Sequence, residues 1–207
     1  MDNSIIISIL ILFLPLISFV YQIFFGKILS DKTHYVSLVI VGVMLLFSVH
    51  FFINIFDKNL VGPILDVSAE WFSTGAFTLE LGIFIDKITV IMLMVVSLIS
   101  FLVHLYSTAY MEGDPRYSRY FGFLGLFTFS MNGIVLSNSL VMMYLFWELV
   151  GLSSYLLIGF WFEKKSAANA CKKAFLTNRV GDIGMFIGML LIFFTVGTFN
   201  INGIATA

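Results

Sequence analysis

The chain has 207 residues, 60% of them hydrophobic and 11% charged, with a formal net charge of −1 and a mean hydropathy of +1.03. These values lie far outside the range of a soluble domain with one core. The near-zero net charge excludes a nucleic-acid binder, which needs cations clustered on an exposed face to neutralise phosphates.

The amino terminus, MDNSIIISILILFLPLISFVYQIFF, has an acid at position 2, no basic segment before its apolar run, and a run too long for a cleaved signal. It predicts a retained first span. Crossing about 30 Å of hydrocarbon at 1.5 Å per residue takes roughly 20 residues. Six runs of that length occur, at 4–25, 34–56, 86–110, 118–136, 139–162 and 167–196. The expected fold class is therefore an all-α polytopic membrane protein with six transmembrane helices. Its organisation is a first helix pair (1–56), an outer loop (57–85) and four helices carrying the intramembrane charges (86–207).

Between spans two and three, AEWFSTGAFTLELGIF alternates Phe77, Leu79, Leu81 and Ile83 with Thr78, Glu80 and Gly82, after turn chemistry at Ser73-Thr74-Gly75. A period of two predicts a short β-hairpin; an irregular amphipathic loop is the alternative. Cations set the orientation. Lys27 and Lys32, Arg116 and Arg119, and Lys164, Lys165, Lys172 and Lys173 lie in or beside the three odd-to-even connections, against Lys58 and Lys87 opposite. By the positive-inside rule those connections are cytoplasmic and the amino terminus is outside. A bacterial inner membrane is the expected location, a mitochondrial inner membrane the alternative.

The fifth span contains FWELVGLSSYLLIGFW. Glu148 lies nine residues after Ser139, roughly 13 Å along the helix and close to the bilayer midplane. An acid there costs about 2.5–3.5 kcal/mol, so it must be protonated, paired or facing water. Burial raises a carboxyl pKa and a nearby cation lowers it; a glutamate between the two effects can load and release a proton as its partner moves. The structural alternative is a permanently protonated Glu148 bonded between helices. Gly151, Leu152 and Tyr155 follow on the same face and allow a close neighbour. Trp161 fits the interfacial belt, and Trp147 reads as packing. Ser153 and Ser154 can bond their own helix carbonyls or hold waters.

The sixth span contains FLTNRVGDIG, in which Asn178, Arg179 and Asp182 are spaced to meet on one face. They form either a static ion pair or part of a switch that relays charge between Glu148 and a neighbouring unit. Gly181, Gly184 and Gly188 form a small-residue ridge suited to close helix contact. His104, near the inner end of the third span, reads as a buried imidazole with a satisfied hydrogen bond, or as a proton-passing group beside water. Cys171 is the only cysteine, too few thiols for an iron–sulfur cluster. His34, His50 and His104 lack metal-ligand spacing, and no G-x-G-x-x-G or P-loop string occurs. No cofactor is expected in this chain.

Three ordered motifs, FLVHLYSTAYMEGDPRYSRYF, FWELVGLSSYLLIGFWF and AANACKKAFLTNRVGDIG, resemble the L-type (chain 5) antiporter-like subunits of respiratory complex I, NADH:quinone oxidoreductase. The resemblance implies a proton-translocating component at the distal end of the membrane arm, driven by quinone reduction elsewhere. NADH, FMN, iron–sulfur clusters and quinone would then belong to partner subunits, and the adjacent antiporter-like subunit would be the nearest partner. It carries over Glu148 as a glutamate that pairs with a lysine, Arg179 and Asp182 as charges of the proton route, and the hairpin as a link between subunits. The sequence departs from the family in length. Members have two inverted repeats, each with a broken helix holding a midplane lysine, whereas this chain stops after six spans and is expected not to pump alone. Two other readings are an A-type component of a multisubunit Na⁺/H⁺ antiporter and a non-pumping scaffold.

Overall fold

The computed structural model describes residues 2–29, 32–56, 63–74 and 77–206. In chain order they form α1 (Asp2–Leu29), α2 (Thr33–Phe56), β1 (Leu65–Thr74), β2 (Phe77–Ile85), α3 (Lys87–Tyr110), α4 (Tyr117–Leu136), α5 (Leu140–Ile158), α6 (Lys165–Val196) and a short α7 (Ile201–Thr206). Five of the long helices are long and apolar enough to cross a membrane by length and composition. The sixth, α4, is diluted by glycine, serine, threonine and asparagine, which it tolerates because it is the inner helix, packed on α1, α2, α3 and α5.

Small residues let α4 take that place. A Cβ on Gly125 would stand 2.9 Å from the Pro15 carbonyl oxygen of α1, so the two backbones nearly touch. Pro15 also lacks the N–H that would bond the Ile11 carbonyl one turn earlier. The Asn132 side-chain amide of α4 donates to that Ile11 oxygen at 3.0 Å, supplying within the membrane the bond that proline removes. Hydroxyl pairs tie the neighbouring helices: Ser18 with Ser37 at 2.8 Å, Ser48 with Ser97 at 2.6 Å and Ser100 with Thr128 at 2.6 Å. Such contacts contribute on average about 0.6 kcal/mol each.

The expected hairpin forms, with longer strands of 10 and 9 residues. They pair antiparallel from Leu65↔Ile85 to Thr74↔Phe77, with a register shift between Glu70 and Phe72. Among the described side chains of the hairpin only Leu65 and Ile85, at its base, are buried; Leu81 is 37% exposed. Thus the sequence alternation does not bury one face, because the hairpin stands out from the bundle. Part of the expected turn, Gly75, lies outside the described residues, as do Asp57, Lys58 and the side chain of Lys27.

Single bridges join Ile83 to Ser137 and Ser139 to Asn200. The hairpin, the α4–α5 link and the α6–α7 link thus share one end. At the other end Arg116 pairs with Glu163 at 2.7 Å, and the Trp161 Nε1–H donates to Asp114 at 3.0 Å. The fifth helix ends four residues earlier than expected, at Ile158, where Gly159 caps it and the turn that follows aims Trp161 at Asp114. The Arg116 guanidinium holds the Glu163 carboxyl below the usual glutamate range.

Two outcomes follow from this packing. Asn132→Leu strands the Ile11 carbonyl and is expected to destabilise the bundle by about 1–3 kcal/mol. Adding Pro15→Ala, which restores the intrahelical N–H, should recover most of that loss in a denaturant titration of the micellar protein. Because its pKa is depressed in the fold, Glu163 stabilises the folded state above the usual glutamate range, and this is lost as pH falls through the lowered value. Carboxyl-labelled NMR should show Glu163 titrating upward towards an ordinary glutamate in Arg116→Gln.

Candidate functional site

The second layer of the structure is a ladder of contacts between α5 and α6. Ser139 caps α5, its hydroxyl accepting from the Met142 N–H at 3.3 Å, and so sets where each later side chain projects. Tyr144, Glu148, Gly151 and Tyr155 fall at intervals of four, three and four, along one stripe. On α6, Phe175, Arg179, Asp182 and Phe186 make the matching stripe. The helices run antiparallel, and the stripes meet rung by rung. Tyr155 packs edge-on to Phe175 at 5.5 Å, Arg179 pairs with Glu148, and Trp147 bonds Asp182. Tyr144 meets Phe186 at 5.9 Å.

The charged rung is a three-group cluster. Arg179 Nη1 donates to Glu148 Oε2 and stands 3.6 Å from Asp182 Oδ2. Trp147 Nε1–H donates to the other Asp182 oxygen at 3.1 Å. The guanidinium also lies over the Phe175 ring, 4.7 Å from its centroid, which holds it by cation–π attraction. Exposure grades across the cluster: the side chains of Asp182, Glu148 and Arg179 are 9%, 22% and 40% exposed. Two carboxylates therefore share one cation, and the more buried acid holds the indole bond.

Of the sequence-predicted residues, Glu148, Arg179 and Asp182 come together, and the cation facing Glu148 among the described residues is Arg179, where the resemblance implied a lysine. Asn178 does not join them. Its amide lies 3.9 Å from where a Gly151 Cβ would be, so Gly151 leaves room for it. His104 is placed elsewhere, 1% exposed on α3 with its ring 6.0 Å from Phe121. Its Nδ1 bonds the Ser100 carbonyl at 2.8 Å, and its buried Nε2 has no partner among the described residues. The Gly181–Gly184–Gly188 ridge makes none of the close contact expected of it among the described residues: nothing lies within 4 Å of a Cβ built at any of the three. The ridge points away from α5, the helix on which α6 packs.

Two participants escaped the sequence reading. Trp147 was expected only to pack, yet its N–H reaches Asp182; its place directly before Glu148 gave no sign of a partner on another helix. Tyr144, one turn before Glu148, continues the same stripe and meets Phe186 at 5.9 Å; the four-residue spacing was the available signal.

Residues 71–121 match the family model described as NADH-ubiquinone oxidoreductase (complex I), chain 5 N-terminus. Residues 137–207 match the model described as NADH:quinone oxidoreductase/Mrp antiporter, TM. The chain is 46% identical over 169 residues to NAD(P)H-quinone oxidoreductase subunit 5, chloroplastic, of Chlorokybus atmophyticus, covering 82% of this chain and 25% of that protein. It is 50% identical over 135 residues to NAD(P)H-quinone oxidoreductase chain 5 of a Synechocystis species, covering 65% of this chain and 20% of that one. Among solved structures, a chain of the membrane-bound sulfane sulfur reductase, an archaeal respiratory membrane complex, superposes with a TM-score of 0.80 at 20% identity, covering 96% of this chain and 39% of that chain. That likeness concerns the fold alone. The chain belongs to the chain 5 family of antiporter-like complex I subunits, and it spans about a quarter of the length of the curated relatives it matches.

Proposed function

We propose that this chain supplies the proton-loading group of a proton-translocating membrane-arm subunit of an NAD(P)H:quinone oxidoreductase. The observation that carries the reading is the sharing of Arg179 by Glu148 and Asp182. One guanidinium balances one carboxylate. The second acid, within a span, must be met by a proton or by a mobile cation, since an uncompensated charge there costs about 2.5–3.5 kcal/mol. When Arg179 leans towards Asp182, Glu148 is the acid left to take the proton; when it returns, the proton is released. Trp147 and Phe175 are positioning residues, the first fixing the Asp182 carboxylate and the second the guanidinium. His104 stands on a separate polar seam with Ser100, and its Nε2 makes it a proton-passing group there.

In this reading the redox chemistry, with NADH, FMN, iron–sulfur clusters and quinone, belongs to partner subunits of the membrane complex. Cys171, the chain's one thiol, is buried and bonded to the Ala168 carbonyl at 3.2 Å. The partners are the other membrane-arm subunits, first the adjacent antiporter-like one. The cation-rich end faces the cytoplasm of a bacterial inner membrane and the amino terminus faces outward, an orientation supported by the excess of Lys and Arg at that end.

In the assembled complex reconstituted into vesicles, Glu148→Gln is expected to lower quinone-coupled proton uptake severalfold while leaving the subunit in the complex. Wild-type uptake would refute the loading site and favour a scaffold. Asp182→Asn should lower uptake without dissolving the complex, whereas loss of assembly would show the Arg179–Asp182 contact to be a static strut.

A further inference from the structure

At the end of the bundle rich in cations, arginine is used in two ways. Arg116 is spent within the chain: its guanidinium pairs with both Glu163 oxygens, at 2.7 and 3.2 Å, and lies 5.4 and 5.2 Å from the ring centroids of Phe160 and Phe162. Arg119, one turn later, forms no salt bridge among the described residues, and neither does Lys172 on α6. Both line one cavity of about 350 Å³ between the start of α4, the end of α5 and the first turns of α6, with Phe123, Phe160 and Phe162 forming its apolar wall. Beside it, with Tyr155 and Lys172 as shared walls, lies a groove of about 440 Å³ between α5 and α6 whose other walls are Leu152, Phe175 and Leu176.

A pair of cations without a salt bridge among the described residues, at the mouth of an apolar groove and at the depth where a span meets the headgroups, has the chemistry of one class of ligand. Arginine binds phosphate through paired N–H donors, and lysine on a flexible stem reaches the headgroup level while its methylenes stay in the apolar layer. Basic pockets between helices on the cytoplasmic side suit anionic headgroups. The groove below is lined by leucine and aromatic side chains and suits an acyl chain. We propose that an anionic phospholipid binds here, its phosphate between Arg119 and Lys172 and one acyl chain along Leu152, Phe175 and Leu176. The Tyr155 ring, edge-on to Phe175 at 5.5 Å, separates the two compartments. The same ring belongs to the α5–α6 ladder, so the lipid would brace the helix pair that carries Glu148 and Arg179.

The test uses the assembled complex in vesicles of phosphatidylcholine doped with phosphatidylglycerol bearing a photoactivatable acyl chain, with the same label on phosphatidylcholine as the comparison. Peptide mapping is expected to find adducts on Leu152, Phe175 or Leu176, severalfold more abundant from the anionic lipid. Arg119→Gln with Lys172→Gln should reduce them to the phosphatidylcholine level, and Arg119→Lys with Lys172→Arg should retain them. If the neutral pair does not assemble, high salt on the unaltered complex should abolish the preference for the anionic lipid. Equal labelling by both lipids, labelling indifferent to charge and salt, or loss of labelling on adding inorganic phosphate, which would mark a site for a free anion, would each overturn the proposal.

Discussion

Two carboxylates sharing one guanidinium between two membrane-spanning helices is the constraint from which the rest of this structure follows. Arg179 cannot satisfy Glu148 and Asp182 equally, and Asp182 is steadied by the Trp147 indole. Glu148 is less buried and has no such indole donor among the described residues; in the proposed reading it is the acid whose charge state depends on where the arginine stands. In hydrocarbon that dependence is large, because a displaced or unpaired charge is not absorbed by water. The aromatic rungs above and below confine the guanidinium to a small range of positions.

The remainder of the bundle is a tied frame on which the α5–α6 pair rests. Helix α4 is held among α1, α2, α3 and α5 by close backbone approach at Gly125 and by the amide that Asn132 lends to the proline-freed Ile11 carbonyl. The hairpin and two links are knitted at one end by backbone bridges, and the Arg116–Glu163 and Trp161–Asp114 contacts fasten the other. By contrast α6 rests on α5, and one side of it, including the glycine ridge, meets nothing among the described residues. The charged rung thus lies at the boundary between a tied frame and a helix with one principal neighbour.

Much of this was legible in the residues. Charges stand out in apolar runs, so Glu148, Arg179 and Asp182 were readable, and a period of two announced the strand Phe77–Ile85. Spacing within one helix states which side chains share a stripe, but not which stripe of another helix they meet. That is why Arg179 was legible as a partner for Asp182 and its bond to Glu148 was not, and why Trp147 read as packing. Asn178 shows the same limit: four residues from Asp182, it nevertheless turns towards Gly151 because α5 leaves space there. The role of Asn132 needed both Pro15 and the packing of α4 on α1, separated by more than a hundred residues of chain.

The central claim is that Glu148 holds or yields a proton according to its bond with Arg179. Infrared difference spectroscopy of the reconstituted complex during turnover measures this directly, through the carbonyl stretch of a protonated carboxyl. The account predicts a band that vanishes in Glu148→Gln and moves when Arg179 is replaced by lysine. A band unchanged by either substitution, or no carboxyl signal during turnover, would contradict it.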